Sequence, residues 1–247
     1  MSAVKNTTMT QYSSSLKNIY FISFYILILL LSCNVREKGK AKSTTNCLET
    51  QRSVGDISIC LPNLQGYNEC LNDKAVKERA YDETKILGDN IFGIYLPNQL
   101  YKEFLQNPNK VLWTEYLKFY STPKLENQKV PSSFFKQIEE KMKNESDIVP
   151  WKEAIEKINN NNPSLLLGKP ILIEHEKCHP QTDSYIYLSS YNFIGKSGYM
   201  LFVANFCIIK ERLIYFGYYL NYENNSSLNK LKKRNLFFTN EFMSLNQ

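Results

Sequence analysis

Apolar and polar residues follow three different rules along this chain. Ile19 to Leu31 is an uncharged, mostly apolar run, and Asn34 to Asn46 scatters Arg36, Glu37, Lys38, Lys40 and Lys42 among small polar residues without any apolar period. Beyond Ile57, short patterns of strand and helix period alternate. Ile57-Ser58-Ile59-Cys60-Leu61 alternates in period two and stops at Pro62, which predicts a first strand. A short helix over 72–81, a strand over 91–96 ended by Pro97, and a helical turn or two over 99–105 follow. Leu112 to Tyr120, rich in aromatic residues, predicts a third strand closed by Thr122-Pro123. Phe134, Phe135, Ile138 and Met142 fall at helical spacing after Pro131-Ser132-Ser133, where a serine is placed to cap. Trp151 to Ile158 predicts another helix, and Asn159-Asn160-Asn161-Asn162-Pro163 breaks the pattern.

From Pro170 the chain predicts four consecutive strands, Ile171 to Lys177, Tyr185 to Phe193, Tyr199 to Ile209 and Arg212 to Tyr222. Gly195-Lys196-Ser197-Gly198 and Lys210-Glu211 are short enough to be hairpin turns, so the four strands form an antiparallel meander. Residues 225–245 are amphipathic, with Leu228, Leu231, Phe238, Phe242 and Leu245 on one face and Lys230, Lys232, Lys233 and Arg234 around the rest. Laid across the meander, that helix makes a two-layer α+β fold. The order of elements resembles the PsbP and Mog1 class of two-layer proteins, without any shared motif, and the likeness implies no function.

The apolar run changes the picture most. Crossing a bilayer takes about 20 apolar residues, whereas this run has 13, within the range of about 7–15 for a secretory signal core. Lys17 precedes it, and Leu30-Leu31-Ser32-Cys33 ends it, with small Ser32 suited to a processing site. This string resembles a bacterial lipoprotein signal peptide with its lipobox. The resemblance implies cleavage before Cys33, acylation of Cys33, and a folded part held at the cell membrane or outer membrane, in the periplasm or at the cell surface. The segment from Met1 to Ser15 is longer than such signals need, and Met9 offers a start with a more ordinary leader.

Residues 1–32 are then the signal, 33–50 the lipidated Cys and a flexible tether, and 51–247 a single α+β domain. Removing the signal leaves 215 residues, with 28 basic and 24 acidic side chains. That mild charge dictates no partner, and the envelope address excludes nucleic acid. The lipid bilayer, reached through acylated Cys33, is one partner, and an envelope protein or a glycan the other. No cofactor is implied.

Beyond Cys33 the chain holds Cys47, Cys60, Cys70, Cys178 and Cys207, an odd set where disulfides form. Cys47 and Cys70 flank the first strand in polar surroundings and are the expected pair. Cys207 lies in an apolar strand and reads as a small buried hydrophobe.

One string has catalytic form. His175-Glu176-Lys177-Cys178-His179 matches His-Glu-x-x-His and uses both histidines of the chain. In zinc peptidases a helix puts both imidazoles on one face, with the Glu activating a zinc-bound water. Here the β-branched run Ile171-Leu172-Ile173 and the flanking Pro170 and Pro180 predict a strand. On a regular strand residues 175, 177 and 179 share a face, which leaves a weak metal pair His175 and His179 with Glu174 or Glu176, and a zinc-dependent hydrolase using His175, Glu176 and His179 is the alternative function. Gly195-Lys196-Ser197 lacks the upstream glycine of a phosphate loop. The run Lys232-Lys233-Arg234 is a solvated helix face or a contact for anionic lipid or glycan. Finally, Tyr185, Tyr187 and Tyr191 share one strand face and Tyr215 and Tyr219 another, an aromatic surface that serves as core or as a platform for a sugar or partner protein. The leading expectation is a non-enzymatic, membrane-anchored binding module.

Overall fold

The computed structural model describes residues 47, 50–84, 88–131, 133–145, 148–160, 168–193 and 195–247. The signal segment, Cys33, the tether, Ser132 and the Asn-rich break at 161–162 lie outside the described residues. Thr45–Gln247 forms one compact unit. Among the described residues no helix is long and apolar enough to cross a membrane.

Three long strands form the centre of the sheet. Alternating apolar and aromatic positions make β7 (Thr182–Phe193), β8 (Lys196–Ile209) and β9 (Arg212–Asn221), which pair antiparallel in unbroken register from Thr182↔Cys207 to Phe193↔Lys196 and from Met200↔Asn221 to Ile209↔Arg212. β6 (Ile171–His179) adds to β7 as the outer edge, completing the expected meander. On the far side β9 pairs with β5 (Glu115–Ser121), β5 with β4 (Asn90–Pro97) and β4 with the short β3 (Tyr67–Glu69). The order β3-β4-β5-β9-β8-β7-β6 is antiparallel throughout, so the two halves of the chain share one sheet. A separate hairpin joins β1 (Gln51–Val54) to β2 (Ile57–Cys60).

Period two divides the sheet's side chains between two faces. Leu117, Phe119, Ile186, Leu188, Leu201, Val203, Ile214, Phe216 and Tyr218 point to one face and form the main core. That face is covered by α5 (Ser226–Asn246), which contributes Leu231, Phe238, Phe242 and Met243, and by α4 (Trp151–Asn160), which contributes Ala154 and Ile158. The protein is therefore α+β, an antiparallel sheet with a C-terminal helix across it. α1 (Lys74–Thr84) and α2 (Asn98–Gln106) lie on the opposite face at the β4 end, where Val76, Ala80 and Phe104 pack with Ile91, Ile94, Leu96 and Trp113. α3 (Phe134–Glu145) precedes α4.

A polar network crosses the main core. Ser184 donates to Asn205 at 2.6 Å, and the Asn205 amide donates to Asn235 of α5 at 2.8 Å and to the Phe216 carbonyl at 3.2 Å. Buried amides left without partners cost about 1–3 kcal/mol each, so this network fixes where α5 sits along the sheet. At the other end of α5, Asn246 pairs with the Cys60 backbone through N–H···Oδ1 at 2.7 Å and Nδ2–H···O at 2.8 Å, closing the open edge of β2.

The expected Cys47–Cys70 pair does not form. Cys47 is joined to Cys60, with Cα atoms 5.7 Å apart, because Cys60 stands opposite Gln51 and the Cys47–Thr50 turn brings the incoming chain back beside it. Cys70 is instead buried in the second core with its Sγ directed at the Ile94 carbonyl, 3.4 Å away. Burial pushes its thiol up to about 12. Cys178 and Cys207 are also free.

The first hairpin also departs from expectation. β1, polar except for buried Val54, carries no apolar alternation, and its turn is held in place: Gly55 takes φ +55°, and Arg212 grips Asp56 with two bonds of 2.9 and 2.7 Å. Residues 196–198 are strand, not turn, since Tyr191 pairs with Gly198 and its ring occupies the space a Cβ there would need. The Lys210-Glu211 turn is as expected, both residues taking positive φ (48° and 63°). It is held by Lys210 on the Ser58 carbonyl at 2.6 Å and Lys129 on Glu211 at 2.5 Å.

Replacing Cys47 with Ser opens a loop with a sequence separation of 13. Unfolding free energy is expected to fall by about 2–3 kcal/mol, read from urea midpoints at constant slope. Reductant should lower the native midpoint comparably and leave the variant unchanged.

Candidate functional site

The face away from α5 carries rings in rows. In the first, Tyr116 stacks on Tyr219 (centroids 4.3 Å, planes 4° apart), Tyr219 on Phe202 (5.4 Å) and Phe202 on Tyr187 (5.0 Å), crossing β5, β9, β8 and β7. Register supplies the row, because Tyr116↔Tyr219↔Phe202↔Tyr187 are direct cross-strand partners. A second row runs Tyr120, Tyr215, Phe206, Tyr185 and His175, ending on the outer strand β6. Between the rows Gly217 and Ala204 leave room, and Lys118 lies over the Tyr120 ring at 4.8 Å. Gly217 must stay small, because a Cβ there would meet the Tyr219 ring at 2.6 Å. Each ring pair contributes about 0.5–1.5 kcal/mol beyond area burial. Tyr116, Tyr187, Phe202, Phe206 and Tyr219 stay partly exposed, so this face is not closed off as core.

The second row ends in polar atoms. His175 stacks on Tyr185 at 4.5 Å and 12°, with its Nε2 3.6 Å from Oδ1 of Asp183. Asp183 is fully buried, and neither of its oxygens has a hydrogen-bond partner; the same holds for the Tyr185 hydroxyl and for His175 Nε2. Lys177, in the irregular stretch of β6 between Glu176 and His179 and more than half exposed, holds its Nζ 4.0 Å from Oδ1. Burial pushes the Asp183 carboxyl above its ordinary range, against the opposing pull of His175 and Lys177, and Glu139 of α3 raises it further. Burial followed by the Asp183 charge raises Tyr185 as well.

A different carboxylate shows what a satisfied one looks like in this fold. Glu115, on the α5 face, accepts from the Tyr67 and Tyr218 hydroxyls, the latter at 2.8 Å, and from Lys230 of α5 at 2.9 Å. Burial acts to raise it, but these bonds hold it below the usual carboxylate range. It ties β3, β5, β9 and α5 together.

The His-Glu-x-x-His string lies on β6, as the prolines around it imply. His175 faces the aromatic side, whereas Glu174 and Glu176 meet Lys232 of α5 at 2.6 and 2.5 Å on the other. A register shift between Glu176 and His179 breaks the alternation, and His179 Nε2 lies 3.3 Å from Gln247 just past α5. The two histidines and Glu176 thus point to three different places. Among the described residues no three His, Cys, Asp or Glu side chains gather as a metal site. The basic run is largely engaged within the fold: Lys230 on Glu115, Lys232 on Glu174 and Glu176, and Arg234 over the Tyr67 ring at 5.8 Å. Sequence reading missed Asp183 because a single Asp beside a strand carries no motif. Its one legible signal was an acidic residue in period with Tyr185 and Tyr187.

These features define an α+β protein whose seven-stranded antiparallel sheet is covered by a C-terminal helix on one face and lined with aromatic rows on the other. No protein-family model, curated protein or solved structure matches the chain.

Because the folded state disfavours the Asp183 carboxylate, the charge costs stability. Stability is greatest below the ordinary Asp range and falls as pH rises through the displaced pKa. Asp183→Asn, which removes the charge while keeping the shape, is expected to raise stability at pH 7 by about 1–3 kcal/mol. The gain should vanish below about pH 4 in urea titrations across pH.

Proposed function

We propose that this protein is a lipid-anchored binding module of the bacterial cell envelope, tethered through acylated Cys33 and engaging a partner with the aromatic face of its sheet. The observation that carries this reading is the pair of ring rows on the face that α5 leaves uncovered. The side under the terminal helix is closed core, with Phe119, Phe216, Tyr218, Phe238 and Phe242 fully buried among Leu, Ile and Val, whereas Tyr116, Tyr187, Phe202 and Tyr219 on the other side keep part of their surface in solvent. A rigid, partly exposed aromatic surface gives contact area at little cost in side-chain entropy, as interface anchors do.

The address comes from Leu30-Leu31-Ser32-Cys33 and the tether that follows. One acyl chain contributes about 0.8 kcal/mol per buried methylene and holds only reversibly, so firm attachment requires the several chains that lipoproteins carry. The envelope setting also accommodates the Cys47–Cys60 disulfide, which an oxidising compartment preserves.

Metabolic labelling of the full chain in a bacterial host with an alkyne palmitate tests the anchor. Label and carbonate-resistant membrane association are expected for the native chain, and both should be lost in Cys33→Ala. An unlabelled native chain, or a labelled variant, overturns the address.

A further inference from the structure

The Asp183 corner is the one place among the described residues where a carboxylate, a tyrosine hydroxyl and an imidazole nitrogen sit together without hydrogen-bond partners. Buried carboxylates in folded proteins accept hydrogen bonds, and leaving one unmatched is expensive. Glu115 shows that this fold can satisfy a carboxylate with three donors. Asp183 has none, although it is fully buried at the start of β7 beside the register shift of β6, where an apolar residue would carry no such cost.

The chemistry of this corner suits a group rich in donors. Asp183 offers two acceptor oxygens, the Tyr185 oxygen can accept, and the neutral imidazole of His175 accepts at Nε2 when its proton is on Nδ1. A primary ammonium has three N–H donors and no acceptor, which matches that set. Glu139 of α3 adds a further acidic group near Asp183 and Tyr185. The stacked His175 and Tyr185 rings give its alkyl stem an aromatic wall. The chain's own Lys177 shows the preference: its ammonium stands 4.0 Å from Oδ1, outside hydrogen-bond range, on a side chain more than half exposed.

We infer that Asp183, Tyr185 and His175 form a binding site for a primary ammonium group, such as a lysine side chain of a partner protein, with Lys177 occupying its entrance when no partner is present. This rests on the reading of the aromatic face as a binding surface, and it names the partner as a protein bearing an exposed amine. Lys177 leaves the entrance when the ligand's amine arrives, so the two cations compete.

The test uses the full-length chain in detergent with labelled histidine, which gives only two imidazole signals to follow, His175 and His179. The probe is n-butylammonium, with tetramethylammonium at equal ionic strength as a cation lacking N–H donors, and maltotriose as a hydroxyl-bearing alternative. Butylammonium is expected to shift the His175 signals saturably and leave His179 unmoved. Lys177→Met should bind it more tightly, by about three- to tenfold, because the competitor is gone. Asp183→Asn should lose about tenfold or more in affinity, the loss of a charge-assisted pair. A merely structural Lys177–Asp183 pair would produce no gain in Lys177→Met. Absence of a saturable His175 shift in both the native chain and Lys177→Met overturns the site, as does an equal response to tetramethylammonium. A response to maltotriose alone assigns the corner to a glycan and overturns the amine. Butylammonium binding does not depend on Cys33, so failure of the lipid anchor and failure of this site are read separately.

Discussion

Everything in this fold depends on the unbroken antiparallel register of β7, β8 and β9. Ten or more consecutive cross-strand pairs on each side of β8 keep the period-two alternation in phase across the sheet centre. A slip of one residue would turn every Leu, Ile and Val of the main core outward and bury the tyrosines beneath α5. The register is secured at both ends. Tyr191 against Gly198 fills the space beside one turn, and the positive-φ pair Lys210-Glu211 is tied to Ser58 and Lys129 at the other.

The same register aligns the aromatic rows, which no single strand could do. Tyr116, Tyr219, Phe202 and Tyr187 come from four strands, and β5 is separated from β9 by most of the second half of the chain. Chemically the two faces diverge: one mixes aliphatic side chains with buried rings, is closed by α5 and crossed by the satisfied Ser184–Asn205–Asn235 network, and the other carries rows of partly exposed rings that end in unsatisfied polar atoms. The Asp183 corner gathers several unmatched polar groups in one place, and mismatches of that kind are what function requires when stability does not.

The disulfide and Asn246 connect the ends of the fold. Cys47 is fixed to Cys60, and the Cys60 backbone is held by Asn246 at the end of α5.

Element order was legible in local pattern. The meander from Ile171, the strands after Ile91 and Leu112, and the amphipathic helix from 225 follow from periods of 2 and 3.6, which neighbouring residues impose on each other. The His-Glu-x-x-His string was readable as strand for the same reason, since Pro170 and Pro180 constrain the backbone locally. What neighbours in sequence could not decide was partnership across distance. Cys47 meets Cys60 and not Cys70 because the Cys47–Thr50 turn returns the chain to β2, and the turn of β1 is held by Arg212, far along the chain. His175 and His179 part company through a bulge that forms only when β6 is laid on β7. Asp183 is an ordinary acidic residue in the sequence, and only the packed sheet leaves it buried with His175 and Lys177 just outside hydrogen-bond range. Local sterics and hydrophobic period act over a few residues, whereas burial and hydrogen-bond matching are properties of the assembled whole.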